Sequence, residues 1–218
     1  MRIHMPRKTQ FTAEDVVTAA FELVRQKWLV GLSAPAVAEQ MGCSTMPIYS
    51  HFKNMQALED EVIRKAWKLV MEYESEQYTG DVWIDQAIGY VLFARNERNL
   101  FKSMLAGRNL KLQYTMQKKH WQYQTEHLEN YDGFNDLEDE QRSRIRYARA
   151  MLSHGVATSP NTGMNKIIVE NDDILAGFLT TVSRALFKGY ETLPPLESDK
   201  RRLLDEKIKK LEGGWGYG

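Results

Sequence analysis

Apolar residues recur at helical spacing along almost the whole chain. Thr12, with Asp15 three residues on, opens a helix to about Lys27, and Val16, Ala19, Ala20, Leu23 and Val24 form its stripe. Ser33 caps Ala34 to Met41, where Val37, Ala38 and Met41 share one side, and Gly42 ends it. Ser44 is placed to cap the next helix, with Pro47 in its first turn. Asn54 caps a longer helix to about Ser75, spanning ~31 Å, with Leu58, Val62, Ala66, Leu69 and Tyr73 inward. Tyr78 to Asp81 is a break. Beyond it come helices over Val82 to Asn96, Leu100 to Ala106, Leu110 to about Asn130, Leu137 to about Ala157, and Ile174 to Leu193. Tyr131 to Phe134 reads as a turn and Thr158 to Glu170 as a loop. A last charged helix is expected from Ser198 to about Glu212, then a GGWGYG tail. The pattern predicts an all-α chain. It divides into a basic arm (1–10), an N-terminal three-helix helix-turn-helix head with its connecting helix (11–78), a larger C-terminal helical body (79–212) and the tail (213–218).

Two short helices about a tight glycine turn form a helix-turn-helix, whose second helix enters a DNA major groove. Ile48 and Phe52, four apart, face inward. Thr45, Met46, Tyr49, Ser50 and His51 face outward. Tyr and Met are unusual on a helix that merely faces water. The residues Ala38, Gly42, Ile48, Tyr49, Phe52 and Leu58 resemble the TetR family of bacterial transcriptional repressors over about residues 11 to 62. The resemblance implies a homodimer that binds a double-stranded DNA operator as an inverted repeat and leaves it when a small molecule binds the body. It also implies that Tyr49 and Lys53 contact phosphates while Thr45, Met46, Ser50 and His51 lie near bases, with Ser33 and Ser44 completing the DNA-binding set. Three positions depart from the pattern. Met55 replaces a Lys usual in the family, Pro35 stands where a family member has Arg, and Trp28 stands where the family usually has Gly.

Charge changes this picture little. The formal net charge is zero, but residues 1–55 carry six Lys and Arg against four Asp and Glu, a weak basic footprint. Arg2, Arg7 and Lys8 make the arm a flexible terminus or a contact to the DNA backbone. No apolar run approaches a membrane span. With a single cysteine, Cys43, and no signal-peptide pattern, a cytoplasmic protein is expected.

In the body, Tyr114, Gln117, Trp121 and Gln124 fall on one helical face. Two amides beside two aromatics suit a pocket for an apolar or aromatic organic effector, with Met151 and His154 as further lining. Gly177, Thr181, Ala185 and Gly189 form a ridge of small residues at four-residue spacing, flanked by Phe178, Val182 and Leu186. Ile145, Ala148, Leu152 and Val156 form a stripe on the preceding helix. The resemblance implies that these two helices of each subunit make a four-helix dimer interface. Packing within one subunit is the alternative.

Chemistry is sparse. No HExxH, GxSxG or Walker pattern occurs. His120 and His127, seven apart near Glu126, suit a surface helix as well as a metal site. No cofactor, metal or catalytic residue is assigned. The alternatives to a ligand-released repressor are a DNA-binding scaffold or activator whose body binds a protein, and a helical small-molecule enzyme.

Overall fold

The computed structural model describes residues 11–159 and 166–192, together with 203 and 206. The expected arm, part of the loop before 166, the final helix and the tail lie outside the described residues. Ten α-helices and two short 3-10 turns make up the regular structure of what is described.

The head is built by its caps. In α1 (Ala13–Lys27) the Asp15 backbone N–H donates to the Thr12 hydroxyl at 3.1 Å, and the Thr12 N–H donates to the Asp15 carboxylate at 2.8 Å. The Ser33 hydroxyl accepts from the Ala36 N–H to open α2 (Ala34–Met41), which ends at Gly42 with φ 64°. The helix α3 (Met46–His51) begins later than expected. Thr45 stands at its cap position, and no side-chain cap is made there; the free carbonyl of Thr45 instead accepts from Ile48 and Tyr49. Asn54 accepts from the Ala57 N–H at 2.9 Å and opens α4 (Met55–Ser75).

The break after α4 is pinned by Asp85, which accepts from the N–H and hydroxyl of Thr79 and from the Gly80 N–H. The helix α5 (Val82–Asn96) is the centre of the body, with every position from Trp83 to Gly89 buried. Such a helix, covered all round, belongs inside. Gly89 allows this: a Cβ there would lie 2.3 Å from the Tyr73 carbonyl oxygen of α4. Around it pack α6 (Arg98–Ala106), α7 (Leu110–His127), α8 (Asp139–Thr158) and α10 (Asp172–Thr192). A five-residue helix, α9 (Lys166–Glu170), falls in the expected loop. Its buried Val169 and a Lys166–Glu170 ion pair one turn apart hold it.

One apolar core runs from Val16 to Leu179 through head and body. Two polar joints add to it. The Arg25 guanidinium of α1 forks onto the buried Glu97 carboxylate, with Nε donating to Oε2 at 2.7 Å. The Asn99 amide donates to the last carbonyls of α1, those of Arg25 and Gln26. On the other side, the Asn109 amide donates to Asp60 of α4.

Candidate nucleic-acid interface

The outward face of α3 stands on a dry platform. Ile48 is fully buried and Phe52 nearly so, against Val37 and Ala38 of α2 and Val16, Ala20 and Val24 of α1. With one side fixed, the other is presented outward: Met46 is 59% and Tyr49 56% exposed. Ser33, Ser44, Ser50, His51 and Lys53 are exposed too, and Thr45 is half-buried. The structure thus brings all eight sequence-predicted DNA residues to one end of the head.

Two of them have local bonds that limit what they can offer. The Ser50 hydroxyl donates to the Met46 carbonyl at 2.9 Å, so its hydrogen is committed and its lone pairs face out. The His51 ring donates from Nε2 to the Phe11 carbonyl at 2.8 Å. That bond ties the end of α3 to the start of α1, and no pattern in the sequence signalled it. Tyr49 keeps an exposed hydroxyl suited to a phosphate oxygen.

The body's candidate ligand residues are dispersed. Along α7 the inward line is Leu112, Met116, His120 and Gln124, at four-residue spacing, so the face inferred from sequence is rotated away from it. Tyr114 and Gln117 are exposed. Trp121 is half-buried between α7 and α8, edge-on to Tyr147 and under the Arg146 guanidinium. Gln124 is buried, and its amide donates to Glu74 Oε1 at 2.9 Å. His120 donates from Nε2 to Glu74 Oε2 at 2.8 Å. Met151 is half-exposed on α8, and His154 lies at the inner end of a bond from Tyr90. Burial holds His154 below the ordinary histidine range and Tyr90 well above the ordinary tyrosine range. A neutral ring therefore accepts at Nδ1 from the Tyr90 hydroxyl, 3.0 Å away. His127 donates from Nδ1 to the Tyr123 carbonyl. Among the described residues no group of three or more His, Cys, Asp or Glu is placed to hold a metal.

Two clefts open on the body. One, of about 440 Å³, is lined by polar groups including Asp81, Glu126, His127 and Asp132. The other, of about 190 Å³, lies between the start of α5 and α10. Tyr114, Gln117, Trp121 and Gln124 line neither.

The expected interface residues divide in two. On α10, Thr181 and Ala185 are exposed, Gly189, Phe178 and Val182 are half-buried, and a Cβ at Gly177 or Gly189 would meet open space. On α8, Ile145 is fully buried inside this chain, so it supports the face from within and presents no surface. Ala148 and Leu152 are half-buried; the exposed apolar positions of α8 are Tyr147 and Met151.

A crystal structure of a TetR-family transcriptional regulator from Streptomyces coelicolor matches this arrangement with a TM-score of 0.59 at 13% identity. The match spans 96% of this chain and all of the other. The fold is that of the TetR regulators. No protein-family model matches the chain, and no curated protein sequence does. Within the TetR fold the three departures take on physical meaning. Trp28 has φ 60° and ψ 177°, a backbone shape that glycine adopts without strain and that costs an L-residue ~1–3 kcal/mol. Met55 is half-buried against the apolar core, so it packs where the family's Lys would carry charge. Pro35 sits in the first turn of α2, where its missing N–H costs nothing. Among the described residues no helix is long and apolar enough to cross a membrane.

Proposed function

We propose that this chain is a TetR-like transcriptional repressor that binds an inverted-repeat operator as a homodimer and is released by a small organic effector. The outward face of α3 carries the reading: Met46, Tyr49, Ser50 and His51 are exposed on a helix whose opposite side is locked by Ile48 and Phe52. A six-residue helix held at a fixed angle, with hydroxyl, imidazole and thioether groups outward, suits base edges and thymine methyls. Tyr49 and Lys53 flank it as phosphate contacts.

A two-fold pair of such heads places its reading helices ~34–36 Å apart, one turn of duplex. The small-residue ridge of α10, with Tyr147 and Met151 of α8 beside it, is the surface for that pairing. Coupling runs through α4, which starts in the head and ends against α5 and α7, and through the Arg25–Glu97 fork. A hundredfold drop in DNA affinity on effector binding needs ~2.7 kcal/mol of preference for the non-binding arrangement.

Selection of bound fragments from random duplex DNA tests the reading. Enrichment of an inverted repeat with half-sites one turn apart is expected. Recovery of no common sequence, or tight binding of a single half-site, would overturn it. Sedimentation should show a dimer at micromolar concentration, and Ala185→Arg should shift it to monomer.

A further inference from the structure

The smaller cleft, between the start of α5 and α10, has a chemistry that DNA binding does not use. It is about 190 Å³ and lined by Asp81, Trp83, Tyr131, Arg184, Phe187 and Lys188. Its aromatic walls are ordered against one another. Trp83 and Tyr131 lie near-parallel with centroids 6.3 Å apart, and Phe187 stands edge-on to Trp83 at 6.0 Å and to Tyr131 at 6.3 Å. A flat ring packs well on such surfaces.

The charges around it are unbalanced. The Asp81 carboxylate is engaged locally: one oxygen accepts from the Trp83 backbone N–H at 3.0 Å and the other from the Tyr131 hydroxyl at 3.3 Å. Against it stand Arg184 and Lys188 in the lining, and Arg149 behind it. The Arg149 guanidinium lies 4.1 Å from the Trp83 ring centroid and is 1% exposed. It donates to the Trp83 carbonyl at 2.6 Å and to Gln86 Oε1 at 2.9 Å; among the described residues no carboxylate pairs with it. Burial brings its pKa down to about 10, which leaves it charged at neutral pH. One further observation points to a missing partner. Trp83 is 1% exposed, and its indole N–H meets no acceptor. A buried donor left so is costly unless something supplies the acceptor.

We propose that this cleft binds a small aromatic carboxylate, with its ring against Trp83, Tyr131 and Phe187 and its carboxylate toward Arg184 and Lys188. An inorganic anion would leave the aromatic walls unused, and a neutral ring would leave the cations unanswered. The volume lies below the ~300–1,000 Å³ of drug-sized sites, so a single-ring acid is the matching size. The site stands apart from the DNA-binding reading. If that reading holds, the ligand sits between the central helix of the body and the helix assigned to dimerisation.

Calorimetric titration of the full chain, without DNA, tests the site. The probes are benzoate, the isosteric neutral benzamide, and acetate, which has the charge without the ring. Benzoate is expected to bind, with benzamide and acetate at least tenfold weaker. Arg184→Gln, at an exposed position that leaves the fold intact, should weaken benzoate at least fivefold and leave benzamide unchanged. Trp83→Phe keeps a ring and removes the N–H, and should also weaken benzoate. If that variant does not fold, the Arg184 substitution and the ligand series decide alone. Equal affinity for benzoate and benzamide, no benzoate binding at millimolar concentration, or an Arg184→Gln protein with unaltered benzoate affinity would each overturn the proposal. A chain that binds benzoate but selects no DNA would sink the regulator reading and leave this one standing.

Discussion

The head and the body have interiors of different kinds. Beneath α3 the core is Val16, Ala20, Val24, Val37, Ile48 and Leu58, every one apolar and five per cent exposed or less. The body encloses Glu74, Gln86, Gln124, Arg149, Ser153 and Ser183, each less than a tenth exposed. A dry, capped core favours one packing and one angle for the helix it carries. A polar interior must satisfy each group it buries or lose stability. The hydroxyls of Ser153 and Ser183, the Gln86 amide nitrogen and the Trp83 indole N–H have no protein partner among the described residues. The difference suits one region that must present a fixed surface and another that must receive something.

Substitutions can break or sharpen this contrast, and the largest effect belongs to the head. Ile48→Ala should lower unfolding free energy by ~3 kcal/mol in urea denaturation, because the platform beneath α3 has no room to relax. DNA binding should go with it. A loss under 1 kcal/mol would mean that the head core is looser than its burial implies.

In the body, Glu74→Ala should cost ~2 kcal/mol, since it strands the His120 ring N–H and the Gln124 amide. Glu74→Gln keeps one acceptor and should recover at least half. If Glu74→Ala proves neutral, the cluster is satisfied by water, and the contrast between the two interiors weakens.

Trp28→Gly should raise stability by ~1 kcal/mol, the strain at φ 60° outweighing the lost contacts of a side chain that is 39% exposed. A drop in Tm would show that the indole holds the bend in place.

The smallest effect concerns His154. Burial lowers its folded pKa, so the unfolded chain binds the proton more readily. The stability it contributes is present above the ordinary value near 6.5 and is lost as pH falls through the folded pKa. His154→Gln should therefore show a smaller fall in Tm than the parent between about pH 7.5 and 5.5. Identical falls would place the acid sensitivity elsewhere.

Much of this was legible along the chain. The capping residues Thr12, Ser33 and Asn54 act where expected, as do Gly42 and the inward pair Ile48 and Phe52, because each is decided within a few residues. The outward face of α3 followed from the same short-range spacing. Glu74 and Arg149 carried a signal that was easy to pass over. Each is a charge at the period of an apolar stripe, Glu74 four residues beyond Val70 and Arg149 four beyond Ile145.

What the sequence by itself determined was the local part: which residues are helical, where the helices stop, and which side chains share a face. Only the tertiary structure decided which face meets which neighbour. Periodicity placed Tyr114, Gln117, Trp121 and Gln124 together, yet α7 turns Leu112, Met116, His120 and Gln124 inward, because α4 and α5 set its rotation. Ile145 looked suited to a partner subunit and is filled against its own chain. The Arg25–Glu97 fork and the His51–Phe11 bond join residues 72 and 40 positions apart. No local pattern encodes such pairs, since they arise only when distant segments pack and buried polar groups must find the nearest partner.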